Sequence, residues 1–397
     1  MTDNDADFRA QAKRAIDDAS EELIELSRRI HSSPEIAYEE VQAAGWVADL
    51  LEKHGFQVTR RLNGLDTAFL ASMEGRGPGP TLALIAEYDA LPGVGHGCGH
   101  NLIAAGTAGA ALGLRELMPQ LNGALKVYGT PAEECTTEPE GKIRLLEAGA
   151  FEGVDACIMF HPWTSTQLLA NDLAVTSLEI SFRGQAAHAS ADPWKGANAL
   201  DGVLLTYTNI NALRQHVKSD VRIHGIITHG GDAANVIPDR ASARFAVRSV
   251  DKHYLAEVVS RVEDCARGAA LATNTEVAVE RVLTLDNSLY NRALKDVVKA
   301  NLVEEGIDFE EGAFLAGSSD FGNLSQRVPA FWFMLQTHPA GLTWHSRDVA
   351  ERAVSDEAHA AMILGAKVLA LSCLDLLLND DLVSQARQGF EASTRSS

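Results

Sequence analysis

Residues 81–101 read TLALIAEYDALPGVGHGCGHN and lead into AAGTAGAALGLREL at residues 104–117. The opening TLALIA is an apolar run of strand length, and the closing stretch has helical texture. Between them lies a loop punctuated by glycines 93, 95, 97 and 99, which let the backbone turn tightly. A strand passed through a loop into a helix begins a βαβ unit, and such units build a sheet with helices on both faces. In sheets of that kind ligands bind beyond the carboxyl ends of the strands. The loop stands at such an end and carries the carboxylates Glu87 and Asp89, the thiol of Cys98 and the imidazoles of His96 and His100. That donor set suits Zn²⁺ or Mn²⁺. It also fits a buried structural thiol beside hydrogen-bonded histidines, or a Cys98 nucleophile activated by an imidazole. His96, Cys98 and His100 alternate, so an extended segment points them one way and only some of them reach a single ion. On the loop alone all three readings stand.

Working outward, the same texture continues. From about Phe8 to His54 the apolar positions recur at helical spacing, with SSPEIAYEE as a turn, which predicts two amphipathic helices. TAFLASM, LKVYGTPAEE and DACIMFHPW are strand-like, with the helix GKIRLLEAG between the last two. Near Leu173 the texture changes. AVTSLEISFRG alternates with period two and is followed by the helical NALDGVLLTYTNINALRQHV, the alternating RIHGIITHGG and RASARFAVRSV, a helix near 253–269 and the strand TEVAVERV. That order, β, α, β, β, α, β, is ferredoxin-like. The expected organisation is therefore an α/β domain, with a mixed sheet flanked by helices, formed by residues 1–172 and 286–397. A ferredoxin-like α+β domain is inserted at residues 173–285.

Bulk properties narrow the function. The 397 residues exceed one typical core. With 34 basic and 54 acidic residues the formal charge is −20, which disfavours nucleic acid and anionic membrane as partners. Five scattered cysteines fit a reducing compartment better than a disulfide framework. The polar, acidic N-terminus lacks the apolar core of a secretory signal, and no run of about 18 apolar residues spans a bilayer. The expectation is a cytoplasmic protein.

Three further clusters follow strand-like runs. PAEEC places Glu133 beside Glu134. Such a pair on a helix is ordinarily solvated surface, but at a strand end one carboxylate can ligate metal while its neighbour moves a proton. His161 follows CIMF, and THPAGLTWHSRD carries His338 and His345 in a glycine-bearing loop before the last helix. Each histidine alone is more often structural than a ligand; their shared placement after strands sets them apart.

These segments, with GQAAHAS, GGDAANVIPD, ARFAVRS and GSSDFGNLS, occur in order along nearly the whole chain, which thereby resembles the two-metal metallopeptidases and amidohydrolases that include aminoacylases and glutamate carboxypeptidases. Within them it is most similar to the group of auxin-conjugate amidohydrolases and p-aminobenzoyl-glutamate hydrolases, and GCGHN, with Asn101 where many members have Asp, looks most like the latter branch. The resemblance implies that Cys98, His100, Glu134, His161 and His345 bind two divalent ions, Zn or Mn with Co also suited. It implies Glu133 as general acid/base and Asp89 as the carboxylate orienting a metal-binding histidine. Glu87 stands where other branches have a metal-binding histidine, and it is left out of the metal shell. His188 matches a histidine of the inserted domain that reaches a neighbouring subunit's active site in dimeric members, implying a homodimer through that domain. Asn235 and Arg248 match substrate-handling residues. His224 and His229 share a strand and are candidates for the cleft, His224 for substrate binding.

The implied activity is hydrolysis of the amide of an N-acyl or N-aroyl amino acid, or a similar carboxylate-bearing small molecule, by water activated at the metals. The alternatives are a dipeptidase or carboxypeptidase of the same family and a non-catalytic metal-stabilised binding protein. The last would show the loss of a ligand or of the general base, and neither is missing.

Overall fold

The computed structural model describes residues 3–396. It opens with three helices, α1 (Asp3–Asp18), α2 (Ser20–Ser32) and α3 (Val41–Lys53), where apolar spacing predicts two. The break is at Ala19, with φ −90° and ψ −1°. A one-residue break hardly disturbs the apolar phase, so Ala12 and Ile16 of α1 and Leu23, Leu26 and Ile30 of α2 still bury into one core.

Then come β1 (Gln57–Arg60), β2 (Phe69–Glu74), β3 (Thr81–Glu87), α4 (His100–Leu114), β4 (Ala124–Thr130), α5 (Gly141–Glu147), β5 (Ala156–Trp163) and β6 (Gln167–Asn171). Next are β7 (Ala174–Arg183), α6 (Ala199–Leu213), β8 (Arg222–His229), β9 (Arg240–Ser249), α7 (Lys252–Thr273) and β10 (Glu276–Leu285). The chain continues through α8 (Arg292–Glu304), β11 (Glu310–Phe314), α9 (Phe321–Ser325), β12 (Ala330–Gln336), α10 (Arg347–Arg352), α11 (Asp356–Leu378) and α12 (Asp380–Ser396). The short β6 carries no strong apolar period, and α12, polar overall, presents only a narrow apolar stripe (Leu382, Val383, Ala386 and Phe390); neither is identified from the sequence.

The large sheet has eight strands in the order β1-β2-β4-β3-β5-β12-β6-β11. Its centre is parallel: β4, β3, β5 and β12 all run the same way. The flanking β1–β2 and β2–β4 pairs are antiparallel. Chain order runs from β3 to β4 on one side and then to β5 on the other, which opens a crevice at the carboxyl ends of these strands.

Helix α4 is buried along its whole length, and its small residues explain how. A methyl group added at Gly106 would lie 2.7 Å from the Phe160 ring, and one at Gly109 would lie 2.8 Å from Leu23. Only glycine lets the neighbours approach that closely. Helix α11 packs on the same core. By length and composition it would suit a bilayer, although Lys367 and Asp375 interrupt its apolar run, and 78% of its most apolar window is buried inside the protein, as in a core helix.

The second sheet has four strands, β10-β7-β9-β8, with every pair antiparallel. Leu178, Ile180, Ala243, Phe245 and Val247 face α6 and α7 and form a separate core with Val203, Val258 and Val262. The chain enters and leaves this layer side by side. Asp172 accepts hydrogen bonds from Ser288 N at 2.7 Å and from the Tyr290 hydroxyl at 3.1 Å, clasping the two crossings together.

Candidate metal centre

The carboxyl end of β3 delivers Glu87, and the loop beyond it turns back through Gly93, Gly95 and Gly99, at φ 71°, 86° and 76°. These left-handed conformations are open to glycine at little cost. Gly99 is the residue before α4, so the turn sets His100 at the first position of the helix. His100 Nδ1 donates to Asp89 Oδ1 at 2.8 Å, while Asp89 Oδ2 accepts from Glu134 N at 2.8 Å. One carboxylate thus brackets the glycine loop to the β4 loop. The hydrogen bond fixes a proton on Nδ1 and turns His100 Nε2 to 3.6 Å from Glu87 Oε2 and 3.8 Å from Glu133 Oε2. Burial acts to lower His100, but Asp89 and Cys98 outweigh it and hold the ring well above the usual imidazole value, so without a metal Nε2 also carries a proton, which a divalent cation would displace.

His161, on β5, donates from Nδ1 to the Pro162 carbonyl at 2.8 Å, which turns Nε2 toward Cys98 Sγ at 3.4 Å. The Trp344 indole N–H also donates to Cys98 Sγ, at 3.3 Å. His345 adopts φ 60°. Its backbone N–H donates to Gly97 O at 3.2 Å and its Nε2 lies 3.3 Å from Glu134 Oε1. The loop after β12 is therefore stitched to the glycine loop through backbone as well as side chains.

These contacts bring all five sequence-derived ligand candidates together. Donor atoms lie within 4.8 Å of one another in Cys98–His100–His161, in Cys98–Glu134–His345 and in His100–Glu133–Glu134. His100 Nε2 is buried with no hydrogen-bond partner. A buried polar atom is rarely left unsatisfied, and beside a thiol, a second imidazole and carboxylates this nitrogen suits a soft-to-borderline divalent cation.

The electrostatics separate the two adjacent glutamates. Burial, reinforced by Glu87 and Glu134, pushes Glu133 well above the usual carboxylate range. Burial also acts to raise Glu134, but the His345 hydrogen bond and the charge of His100 outweigh it and bring the group to about 2. Desolvation lowers His161 to about 4, keeping its Nε2 lone pair free. Burial and Glu134 push the Cys98 thiol up, a trend that a divalent cation inverts by binding the thiolate. The pair therefore sets an anionic Glu134 beside a Glu133 raised toward the range in which a carboxyl can both accept and return a proton, which metal-assisted hydrolysis asks of its base.

Other candidates lie elsewhere. His188 and Asn235 are neighbours in the second layer, joined by the bridge between His188 and Val236 and by the bond from Ala189 N to Asn235 O at 3.0 Å. Both are exposed, and within one chain His188 is not part of the metal cluster. His188 Nδ1 accepts from Ala191 N at 3.2 Å, which leaves Nε2 available. Arg248 on β9 donates to Ser318 Oγ at 2.8 Å and, among the described residues, has no ion-pair partner. His224 and His229 are exposed on β8. His338 is buried beneath Trp344, with ring centroids 5.3 Å apart, and its Nε2 lies 3.1 Å from the Val349 carbonyl. Sequence reasoning passes over Lys142, Asp320 and Trp344, which line the centre. The only signals are a lysine soon after PAEEC and the position of GSSDFG and TWHS in loops that follow strand-like runs.

The model of Peptidase family M20/M25/M40 matches residues 83–370. The mouse Xaa-Arg dipeptidase is 37% identical over 403 residues, covering 97% of this chain and 92% of that protein. One of the p-aminobenzoyl-glutamate hydrolase chains of Escherichia coli is 28% identical, covering 96% of this chain and 95% of its own. Among solved structures, a dinuclear metal-binding peptidase from Bacillus subtilis superposes with a TM-score of 0.71 at 21% identity, covering 90% of this chain and 98% of its own. The aminobenzoyl-glutamate utilization protein of Klebsiella pneumoniae gives 0.75 at 21% identity, covering 92% and 98%. At these identities the structures speak to fold, while the family match and the dipeptidase speak to descent. The chain belongs to the M20/M25/M40 peptidase family and is a hydrolase of amide and peptide bonds.

Proposed function

We propose that this enzyme cleaves the amide bond of an N-acyl or N-aroyl amino acid, or of a similar carboxylate-bearing amide, with two divalent ions held by Cys98, His100, Glu134, His161 and His345. The observation that carries the proposal is the convergence of these five residues around Glu133, whose carboxylate lies 3.8 Å from His100 Nε2. Zn²⁺ and Mn²⁺ suit the mixed S, N and O donors, and Co²⁺ fits as well. When bound, the ions supply Lewis acidity that acidifies water and polarises the amide carbonyl. Glu133 takes a proton from the attacking water at a carboxylate oxygen and returns it to the leaving nitrogen. Asp89 holds His100 in the tautomer that presents Nε2. Arg248, free of acidic partners, supplies a guanidinium for the substrate carboxylate, with Asn235 and His224 beside the same route.

Residues 173–285 act as a lid and dimerisation domain of ferredoxin-like form, and residues 1–172 and 286–397 form the catalytic domain. The separate core of the second sheet supports this division. Ile226 and Ile227 on the edge strand β8 are 64% and 42% exposed, which favours pairing with a second copy. His188 would then stabilise the oxyanion from the neighbouring subunit. The five cysteines, all free thiols, support a cytoplasmic location.

The dipeptidase reading gains weight from the near full-length match to the Xaa-Arg dipeptidase. Metal-depleted protein reloaded with Mn²⁺ or Zn²⁺, assayed on N-acyl and N-aroyl amino acids, dipeptides and p-aminobenzoyl-glutamate, separates the two. Glu133→Ala is expected to abolish turnover while retaining metal. Full activity in that variant at matched metal content would overturn the assignment.

A further inference from the structure

Lys142, on the first turn of α5, is a buried cation that the proton chemistry above does not use. Its side chain is completely buried, and Nζ lies 2.7 Å from Glu87 Oε1 and 2.5 Å from Asp320 Oδ1. Its backbone N–H donates to Asp320 Oδ2 at 2.9 Å, so the helix start and the ammonium grip the same carboxylate. Glu87, Glu133 and Asp320 offer oxygens within 4.8 Å of one another, a spacing that suits a cation. Glu140 is also buried nearby, with an oxygen that has no hydrogen-bond partner. Carboxylates this close cannot all be ionised in a dry site without a compensating charge.

Glu87 is placed ambiguously by proximity alone. Its Oε2 lies 3.6 Å from His100 Nε2, near enough to share an ion with that imidazole. Its other oxygen is ion-paired with the lysine at 2.7 Å, and neither oxygen has a hydrogen-bond partner.

Resting on the two-ion reading above, we propose that Lys142 is a tethered third cation. Its ammonium fills the position between Glu87, Asp320 and Glu133, keeps Glu87 out of the metal shell and limits the centre to two exchangeable ions. It is a positioning residue for Glu133, acting through charge and without touching substrate. A lysine suits this task because its compact point charge has three donors that can be shared among several carboxylates. Asp320 comes from the far side of the inserted layer, so the same ammonium also ties the two halves of the large-sheet layer together at the site.

Metal per chain, measured by inductively coupled plasma mass spectrometry after dialysis against Mn²⁺ or Zn²⁺, tests the proposal. Wild type and Glu87→Gln are both expected to hold two ions. Lys142→Ala is expected to gain a third and to melt higher when Mn²⁺ is added in excess of two equivalents, and Lys142→Ala with Glu87→Gln is expected to return to two. Lys142→Arg, which keeps the charge, should stay at two. A Lys142→Ala protein that folds and stays at two ions overturns the proposal. If that variant does not fold, Glu87→Gln decides: loss of one ion would make Glu87 a ligand and overturn it, and retention of both supports it. A wild type that holds no ion overturns the two-ion reading itself.

Discussion

Replacing Asp89 by asparagine tests the bracket at the heart of the centre. Asp89 accepts two hydrogen bonds at 2.8 Å, one from His100 Nδ1 and one from the Glu134 backbone N–H. An amide has one acceptor and one donor side, so the Asp89→Asn side chain cannot accept both. The backbone N–H cannot give up its proton, whereas the imidazole can move its own. The introduced amide is therefore expected to keep its oxygen on Glu134 N and turn its NH₂ to His100, forcing the ring proton onto Nε2, the atom that must hold metal. Losing such an orienting partner costs roughly 10- to 100-fold in metal affinity, or about 1.4–2.8 kcal/mol. The metal-free protein should also lose stability, because Asp89 is the main charge that holds the proton on the buried His100 ring. Competition with a chromophoric chelator gives the affinity, and thermal melting of the metal-free protein gives the stability. Metal binding within twofold of wild type would refute the tautomer reasoning.

Exhaustive chelation should silence the enzyme, and Mn²⁺ or Zn²⁺ should restore it; activity that survives chelation would instead make Cys98 a nucleophile. Cys98→Ala should lower metal content in the same measurement. His96 is buried and desolvation lowers it to about 3, so it folds neutral. The unfolded imidazole titrates near 6.5; below that value the unfolded chain binds the extra proton, and stability falls as pH falls toward 3. Between pH 6.5 and 5 the metal-free wild type should lose about 2 kcal/mol more than His96→Gln by urea denaturation, and parallel profiles would contradict this. Gly106→Ala places a methyl group 2.7 Å from the fully buried Phe160 ring. Overpacking of about 1–3 kcal/mol should exceed the ~1 kcal/mol helix-propensity gain, so the denaturation midpoint falls, whereas a rise would show that Phe160 can yield.

Much of the site is legible because its signals are local. The apolar run before Glu87, the glycines that allow the turn and the ligand chemistry of Cys98 and His100 all lie within one short stretch. The same holds for Glu133–Glu134 after β4 and His161 within β5. The features that escape a reading of the sequence have no local mark. The break at Ala19 leaves the apolar phase intact, β6 is too short to show a period, and the apolar stripe of α12 is narrow within a polar segment. Lys142 reads as an ordinary helix lysine until its neighbours are known.

The sequence by itself determined which chemistry this protein carries and that it is mounted at strand ends, since residue type and hydrophobic alternation are properties of neighbouring residues. Tertiary structure decided which of those residues meet. His345 reaches Glu134 because the loop after β12 is bonded to the glycine loop at Gly97, and Asp320 reaches Lys142 because the chain returns to the large sheet after leaving it for the second layer. Burial then made the final distinctions, raising Glu133 and anchoring Glu87 to a lysine, because the strength of a charge's interactions depends on the solvent it has lost and the partners that replace it.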